Sequence, residues 1–429
     1  MERDSSIKVR CLITLLVVGG VFSSSSRVLL AEDELSLTQC IKLISGNSVQ
    51  FAQALANEAR SRAALDEANK PKLPQLVAQG NIATSSNEVT QATDSNKAVL
   101  RIEQGTLPFG SAWKLGTQRG VELEVARLSK IETKQDVEML VKQLYFSILR
   151  DQDTIENLNV VEETLKRLLS NVAPKFQIGR APSFDLVKVK TAIYDLTRSR
   201  EILKSQLIGE ENQLAQVIGI RKNSLKLKPV PKLPEIAPTA HLDSTPKENP
   251  TLLGLSKQIE ASEAGVDVSK YSRLPALSAA LEYGPTGQTL STAVPSWTAF
   301  AQLRLTIFDW GLISSQVAQA RSGVILAEKK LEAESQRIDS DFVQTQSQAD
   351  AHLMDQSRLQ ILMPELKKTA MVSIDRYRQG GMSILETTDA VSLWLQNLNN
   401  ERAAFYAYLS DLAHLERLTG NTLNVKYEN

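Results

Sequence analysis

Two spacings of apolar positions alternate along this chain, one helical and one of period two. Leu35 to about Asn69 is rich in Ala, Leu, Glu, Arg and Gln without an interior proline, which predicts a helix that Pro71 and Pro74 stop. The period then changes. Leu76, Ala78, Gly80 and Ile82 fall on one face and Val77, Gln79 and Asn81 on the other, as in a half-buried strand. Ala98, Leu100 and Ile102 alternate in the same way with Val99, Arg101 and Glu103 beyond a polar loop, so residues 75–84 and 97–107 are expected to form a hairpin. Strands of about ten residues can cross a bilayer on a tilt. After Gly110 the helical spacing returns and is expected to run to about Asn171, with Pro174 and Gly179 breaking it. Val137, Leu140, Leu144, Ile148, Ile155, Leu158, Leu165, Leu168 and Val172 step by threes and fours along a heptad seam. Pro182 suits the first turn of a helix returning over Phe184 to Ile218.

The second half repeats the plan. A helix from Thr251 to about Ser272 ends at Arg273-Leu274-Pro275, and strands follow over residues 276–283 and 298–308. A long helix runs from Leu312 to about Tyr377, and Ile384 to Leu418 returns. KFQIGRAPSFDLVK, from Lys175, and RYRQGGMSILETTD, from Arg376, keep one register: Gly179 and Gly380 are 201 residues apart (380 − 179 = 201), as are Asp185 and Glu386. Pro74 and Pro275, and Gly219 and Gly420, share that spacing, which is far longer than a solenoid repeat. The chain therefore divides into a first repeat over 35–220, with a helical hairpin over 111–219 whose tip lies near 179, and a second repeat over 251–420, with a hairpin over 311–419 whose tip lies near 380. Residues 221–250, with six prolines, are expected to be a solvated linker, and 421–429 a C-terminal tail.

Four amphipathic strands cannot close a barrel, which takes about eight, and an open edge is not tolerated in lipid. Three copies would supply twelve. Arg101, Glu103, Glu282 and Arg304 fall on the polar faces and are expected to line the lumen of such a barrel, with the apolar faces toward lipid. Tyr283, Trp297 and Phe300 are candidates for an outer aromatic girdle. Phe109, Trp113, Phe308 and Trp310 are candidates for an inner one, core packing being an equal alternative for Trp113 and Trp310.

Composition narrows the class. Forty-nine basic residues balance 49 acidic ones, so no net charge draws the chain to nucleic acid. Arg3, Lys8 and Arg10 precede the apolar run Cys11 to Phe22 and a serine cluster, so residues 1–31 are expected to be a secretory signal. Cys40 is then the one mature cysteine, which leaves no intrachain disulfide. His241, His352 and His414 lack the spacing of metal ligands, and no phosphate-cradling glycine loop is present. No enzyme chemistry, metal site or cofactor is expected.

The signal, the duplicated order of helix, strand pair and long helix, the Leu-Pro before each first strand, the FG and FDWG hinges and the two glycine-to-acid tips together resemble the TolC-like outer-membrane efflux proteins. The resemblance spans about Leu35 to Gly420. It implies an α plus transmembrane β fold: a homotrimeric twelve-stranded β-barrel in the outer membrane, continuous with a periplasmic α-helical barrel. It also implies the channel-tunnel of a tripartite efflux or type I secretion system, docked on a periplasmic adaptor and an inner-membrane transporter. By the same resemblance Gly179 and Gly380 mark adaptor-docking tips, Glu386 and Asp389 a periplasmic entrance ring whose crowded charges would raise some carboxyl pKa values, and Tyr377 and Asp185 gate contacts. The arginine that relatives carry two residues after the second glycine is Met382 here, so Arg376, Arg378 or Arg180 would have to replace its charge. A periplasmic coiled-coil adaptor or scaffold is the alternative reading; bilayer-length strands in each half weigh against it.

Overall fold

The computed structural model describes residues 34–83, 95–105, 110–220, 225–230, 249–287, 293–420 and 427. The expected signal, both strand-connecting loops, Phe109 and His241 lie outside the described residues. The elements in chain order are α1 (Leu37–Asn47), α2 (Val49–Asn69), β1 (Gln75–Ala83), β2 (Ser95–Gln104), α3 (Ser111–Gln177), α4 (Ser183–Val217), α5 (Pro250–Tyr271), β3 (Ala276–Gly287), β4 (Val294–Arg304), α6 (Leu312–Gln379) and α7 (Ile384–Leu418), with a short 3-10 turn after α2. At 1.5 Å per residue, the 67 residues of α3 and 68 of α6 each extend about 100 Å.

The four strands form one antiparallel sheet in the order β1-β2-β3-β4. Each hairpin pairs internally, and β2 also pairs with β3 across the two halves, Arg101 opposite Glu282 and Leu100 opposite Tyr283. β1 and β4 are left as edges. β3 and β4 each reach four residues nearer the outer loop than expected from the sequence, because the ladder continues through Pro285 opposite Pro295 to Thr286 opposite Val294. β4 stops at Arg304 rather than near 308, and β2 at Gln104. Gly284 is required where β3 passes β2: an added Cβ would stand 2.3 Å from the Ala98 carbonyl oxygen.

The helices pack as two long hairpins side by side. α3 packs against α2, α4, α5 and α7, and α6 against α5 and α7. α3 continues through Pro174 to Gln177, beyond its expected end, since a proline this close to the terminus forfeits only one hydrogen bond. The turn comes instead at Gly179, with φ of +74°. Several seam positions are buried as spaced, among them Val137, Ile148, Leu158, Leu165, Leu168 and Val172. Val141, Tyr145, Phe146 and Leu149 are buried as well, because α3 is covered from more than one side.

Two further readings are corrected at the waist of the molecule. The expected single N-terminal helix is broken at Ser48, whose extended ψ of 126° separates α1 from α2. The linker is not wholly solvated. Leu225, Leu227 and Val230 are buried, and Leu35 pairs with Leu227 as a parallel bridge. Leu225-Lys226-Leu227-Lys228 alternates, so leucines point inward and lysines outward. The Tyr145 hydroxyl secures this seam by donating toward the carbonyls of Lys228 (2.6 Å) and Leu35 (3.1 Å). Nearby, Lys142 pairs with Glu416 in the interior, and the buried Tyr427 donates its hydroxyl to the same carboxylate at 2.9 Å.

Gly219 and Gly179 are both left-handed, but their surroundings differ. A Cβ at Gly219 would meet the Asn47 carbonyl oxygen at 2.3 Å, whereas one at Gly179 meets nothing within 4 Å. Gly219→Ala is therefore expected to carry a clash on top of the roughly 1–3 kcal/mol of backbone strain that both variants share. In thermal melts of the detergent-held protein, Gly219→Ala should melt clearly below Gly179→Ala; equal melting would show that α1 does not press on this turn.

Candidate functional site at the helical tip and along the sheet

The end of the hairpins farthest from the sheet closes over its own apolar layer. Val161, Leu165, Leu168 and Val172 of α3 meet Val189 of α4, Ala370 and Ile374 of α6, and Ile384, Val391 and Trp394 of α7. The Tyr377 ring completes this layer with 6% of its surface exposed. Its hydroxyl donates to Asp185 Oδ2 at 2.7 Å, so the expected pair is in contact and joins α6 to α4 across the two repeats. Burial first, and the bond to Asp185 second, push the phenol far above its ordinary pKa, so it stays a proton donor throughout the physiological range.

The repeat shows why only one such pair exists. Phe176 stands where the other half has Tyr377, and it has no hydroxyl. Asp185 and Glu386 are both the third residue of their helices, but Pro182 precedes α4 and Ser383 precedes α7. Pro182 offers no side-chain partner, which leaves Asp185 available to Tyr377. Glu386 is engaged locally: its carboxylate accepts from Ser383 N (2.9 Å) and Ser383 Oγ (2.7 Å), while its own N–H donates to Ser383 Oγ at 3.2 Å. This capping box satisfies amides that a helix start otherwise leaves unpaired. Within one chain these bonds hold the Glu386 carboxyl below its ordinary pKa. Asp389 lies one turn on, and both acids are exposed.

The residue that sequence reasoning missed is Lys175, in the last turn of α3. Its ammonium donates to the carbonyls of Tyr377 (3.0 Å) and Arg378 (2.9 Å) and lies 4.9 Å from the centre of the Tyr377 ring. Among the described residues, no ion pair links Arg376, Arg378 or Arg180 to Asp185; Arg378 pairs with Asp375 on its own helix. In the sequence Lys175 falls past the expected end of the helix near Asn171 and just after Pro174, where nothing singles it out. The tip glycines are turn formers, Gly179 at φ +74° and Gly380 at φ +82°. Exposed Ile178, Phe184 and Leu385 surround them.

At the other end, register places Arg101, Glu103, Glu282 and Arg304 on one face of the sheet. Glu282, 5% exposed, is held by Lys97 and by Arg101 Nη1 at 3.2 Å, and Arg101 also approaches Glu103. The opposite face carries Leu76, Leu100, Ile102, Leu281, Tyr283, Trp297 and Leu303, all well exposed, Trp297 at 72%. Phe300 does not belong with Tyr283 and Trp297. It falls on the charged face, where its ring lies 5.0 Å from the Arg101 guanidinium. Where the sheet meets the helices, Phe308 and the 90% exposed Trp310 stack edge to face, and Lys72 lies over the Trp113 ring. Among the described residues no helix is long and apolar enough to cross a membrane, and no His, Cys, Asp and Glu cluster could hold a metal ion.

Residues 242–421 match the family described as outer membrane efflux protein. The outer membrane protein TolC of Escherichia coli strain K12 is 22% identical over 435 residues, covering 95% of this chain and 86% of TolC. The pyoverdine export outer membrane protein OpmQ of Pseudomonas putida is 23% identical over 396 residues, covering 82% and 79%. Among solved structures, the Campylobacter jejuni outer membrane channel CmeC superposes with a TM-score of 0.81 at 16% identity, covering 90% of this chain and 86% of CmeC.

Ser383 is the hinge of the Glu386 geometry. Ser383→Ala removes the cap, at a cost typical of such caps of about 1 kcal/mol, and should speed hydrogen exchange at the Glu386 amide, which donates to Ser383 Oγ. Because the folded-state pKa of Glu386 is depressed, protection of the Ser383 amide, which donates to its carboxylate, should be complete above the ordinary carboxylate range and fade as pH falls through the depressed value. Equal exchange of the Glu386 amide in both proteins would mean that the Ser383 hydroxyl does not cap α7.

Proposed function

We propose, from the premise that this chain is a TolC-like outer membrane factor, that three copies assemble into the channel-tunnel of a tripartite efflux or type I secretion system. The observation that carries this reading is the sheet: four strands of bilayer-crossing length, one face apolar and exposed, the other charged, with β1 and β4 both unpaired as edges. Backbone groups on such edges cannot be left unsatisfied in hydrocarbon, and joining β4 of one copy to β1 of the next closes a twelve-stranded barrel. The helical hairpins continue it as a periplasmic tube. Exposed apolar residues on α4 (Val187, Tyr194, Ile202, Ile208) and α6 (Ile325, Leu326, Ile361) then gain partners.

In this reading the protein sits in the outer membrane and works as a conduit rather than as a catalyst. A periplasmic adaptor grips the tips around Gly179 and Gly380, and an inner-membrane transporter supplies cargo. Arg101, Glu103, Glu282 and Arg304 face the lumen. Tyr377 and Asp185 hold the periplasmic entrance closed, and Glu386 and Asp389 from three copies ring it with carboxylates that favour cations.

Mass measurement in mild detergent should give a trimer; a functional monomer would remove the basis of the proposal. Leu281→Lys, on the face assigned to lipid, should block assembly at a cost of roughly 2–4 kcal/mol near the midplane, while Arg304→Gln should leave assembly intact and alter conductance. Equal tolerance would mean that the faces are reversed. In planar bilayers, Glu386→Gln with Asp389→Asn should reduce cation preference and divalent block, and Tyr377→Phe with Asp185→Ala should raise conductance. If both pairs of changes leave the current as it was, the constriction lies elsewhere.

A further inference from the structure

The tip contains a second link between the repeats that the sequence does not announce. The final carbonyls of α6 lack partners within their own helix and carry the negative end of its dipole. The Tyr377 carbonyl accepts from Gly380 N at 3.1 Å and from Lys175 Nζ at 3.0 Å, and Lys175 also takes the Arg378 carbonyl. The same ammonium lies against the Tyr377 ring, where a cation is attracted to the π face. Lys175 therefore contacts Tyr377 at two places, backbone and ring, while the hydroxyl of that ring bonds Asp185. α3, α6 and α4 are joined in series through one side chain.

The repeat counterpart of Lys175 is Arg376, which among the described residues makes no ion pair and caps no neighbouring helix. The clasp is thus specific to one of the two hairpin joints. A lysine suits it. Its ammonium can present separate donors to two carbonyls while facing the ring.

We propose that Lys175 is a positioning residue of the closed entrance. It holds the end of α6 so that the Tyr377 hydroxyl stays on Asp185, and it takes the part left open by Met382. This rests on the reading of Tyr377 and Asp185 as gate contacts, and it adds the charge that sets their geometry. The Lys175 contacts are to Tyr377 and Arg378, so it acts on Asp185 through Tyr377.

The test uses the full chain, purified and reconstituted in planar bilayers, with trimer mobility and melting followed in parallel. Lys175→Met is expected to raise resting conductance several-fold, toward the level of Tyr377→Phe, with assembly intact. Lys175→Arg, which keeps donors and charge, should restore the low level. Combining Lys175→Met with Tyr377→Phe should add nothing beyond Tyr377→Phe alone, since both changes break one clasp. If Lys175→Met lowers trimer yield, Lys175→Gln replaces it and the same order is expected. A rise with Tyr377→Phe but none with the Lys175 variants overturns the positioning role and leaves the gate reading in place. Conductance unchanged in all of them overturns both. A rise that Lys175→Arg does not rescue also rejects the role assigned to the cation.

Discussion

The constraint on which the rest depends is that backbone hydrogen-bonding groups cannot be stranded in hydrocarbon. This chain builds a sheet whose strands pair with one another inside but whose two borders are left unpaired, and those borders lie on strands from different halves of the duplication. Pairing β2 with β3 inside the chain welds the halves into one unit and moves the unpaired groups to its outer rims. α3 begins soon after β2 and α6 soon after β4, so the sheet also fixes where each long helix starts. The hinge at α6 makes that placement firm. Asp309 accepts from the N–H groups of Gly311 and Ile313 at 2.9 Å each, and these bonds hold its carboxyl below the ordinary range.

Duplication supplied two copies of each element, and small substitutions then gave them different work. The tips share their glycines and their acids, yet Phe176 against Tyr377 and Pro182 against Ser383 turn one acid into a cross-repeat acceptor and the other into a helix cap. One hydroxyl gained at each position accounts for the difference. Neither change disturbs the turn, because the turn depends on the left-handed glycine alone.

Polar groups in the interior mark where separate segments must meet. At the waist, Lys142, Glu416 and Tyr427 satisfy one another, and Tyr145 ties the segment at Leu35 to the linker seam. Ion pairs buried in this way add little net stability but are costly to break, so they specify one arrangement of the chain more than they strengthen it. Asn249 serves the same end. Fully buried, it caps α5 and donates to the Leu418 carbonyl at the end of α7.

Strand faces, the order of strands and long helices, and the glycine turns were legible in the sequence, because each follows from neighbours within a few residues: alternation for Leu100 and Arg101, the missing Cβ for Gly179 and Gly380. The resemblance carried by the tips added Tyr377 and Asp185. Local pattern could not reach what depends on approach between distant segments. The leucines at Leu225 and Leu227 read as part of a proline-rich connector until Leu35 and Tyr145 were found beside them. Phe300 alternates like any strand residue, and only the cross-strand register sets its ring against Arg101. Lys175 looked like one more surface lysine. Its partners are the carbonyls of Tyr377 and Arg378, some 200 residues away in sequence. A backbone carbonyl has no signature in the side-chain code, so only the packing of α3 against the end of α6 decides that the two meet.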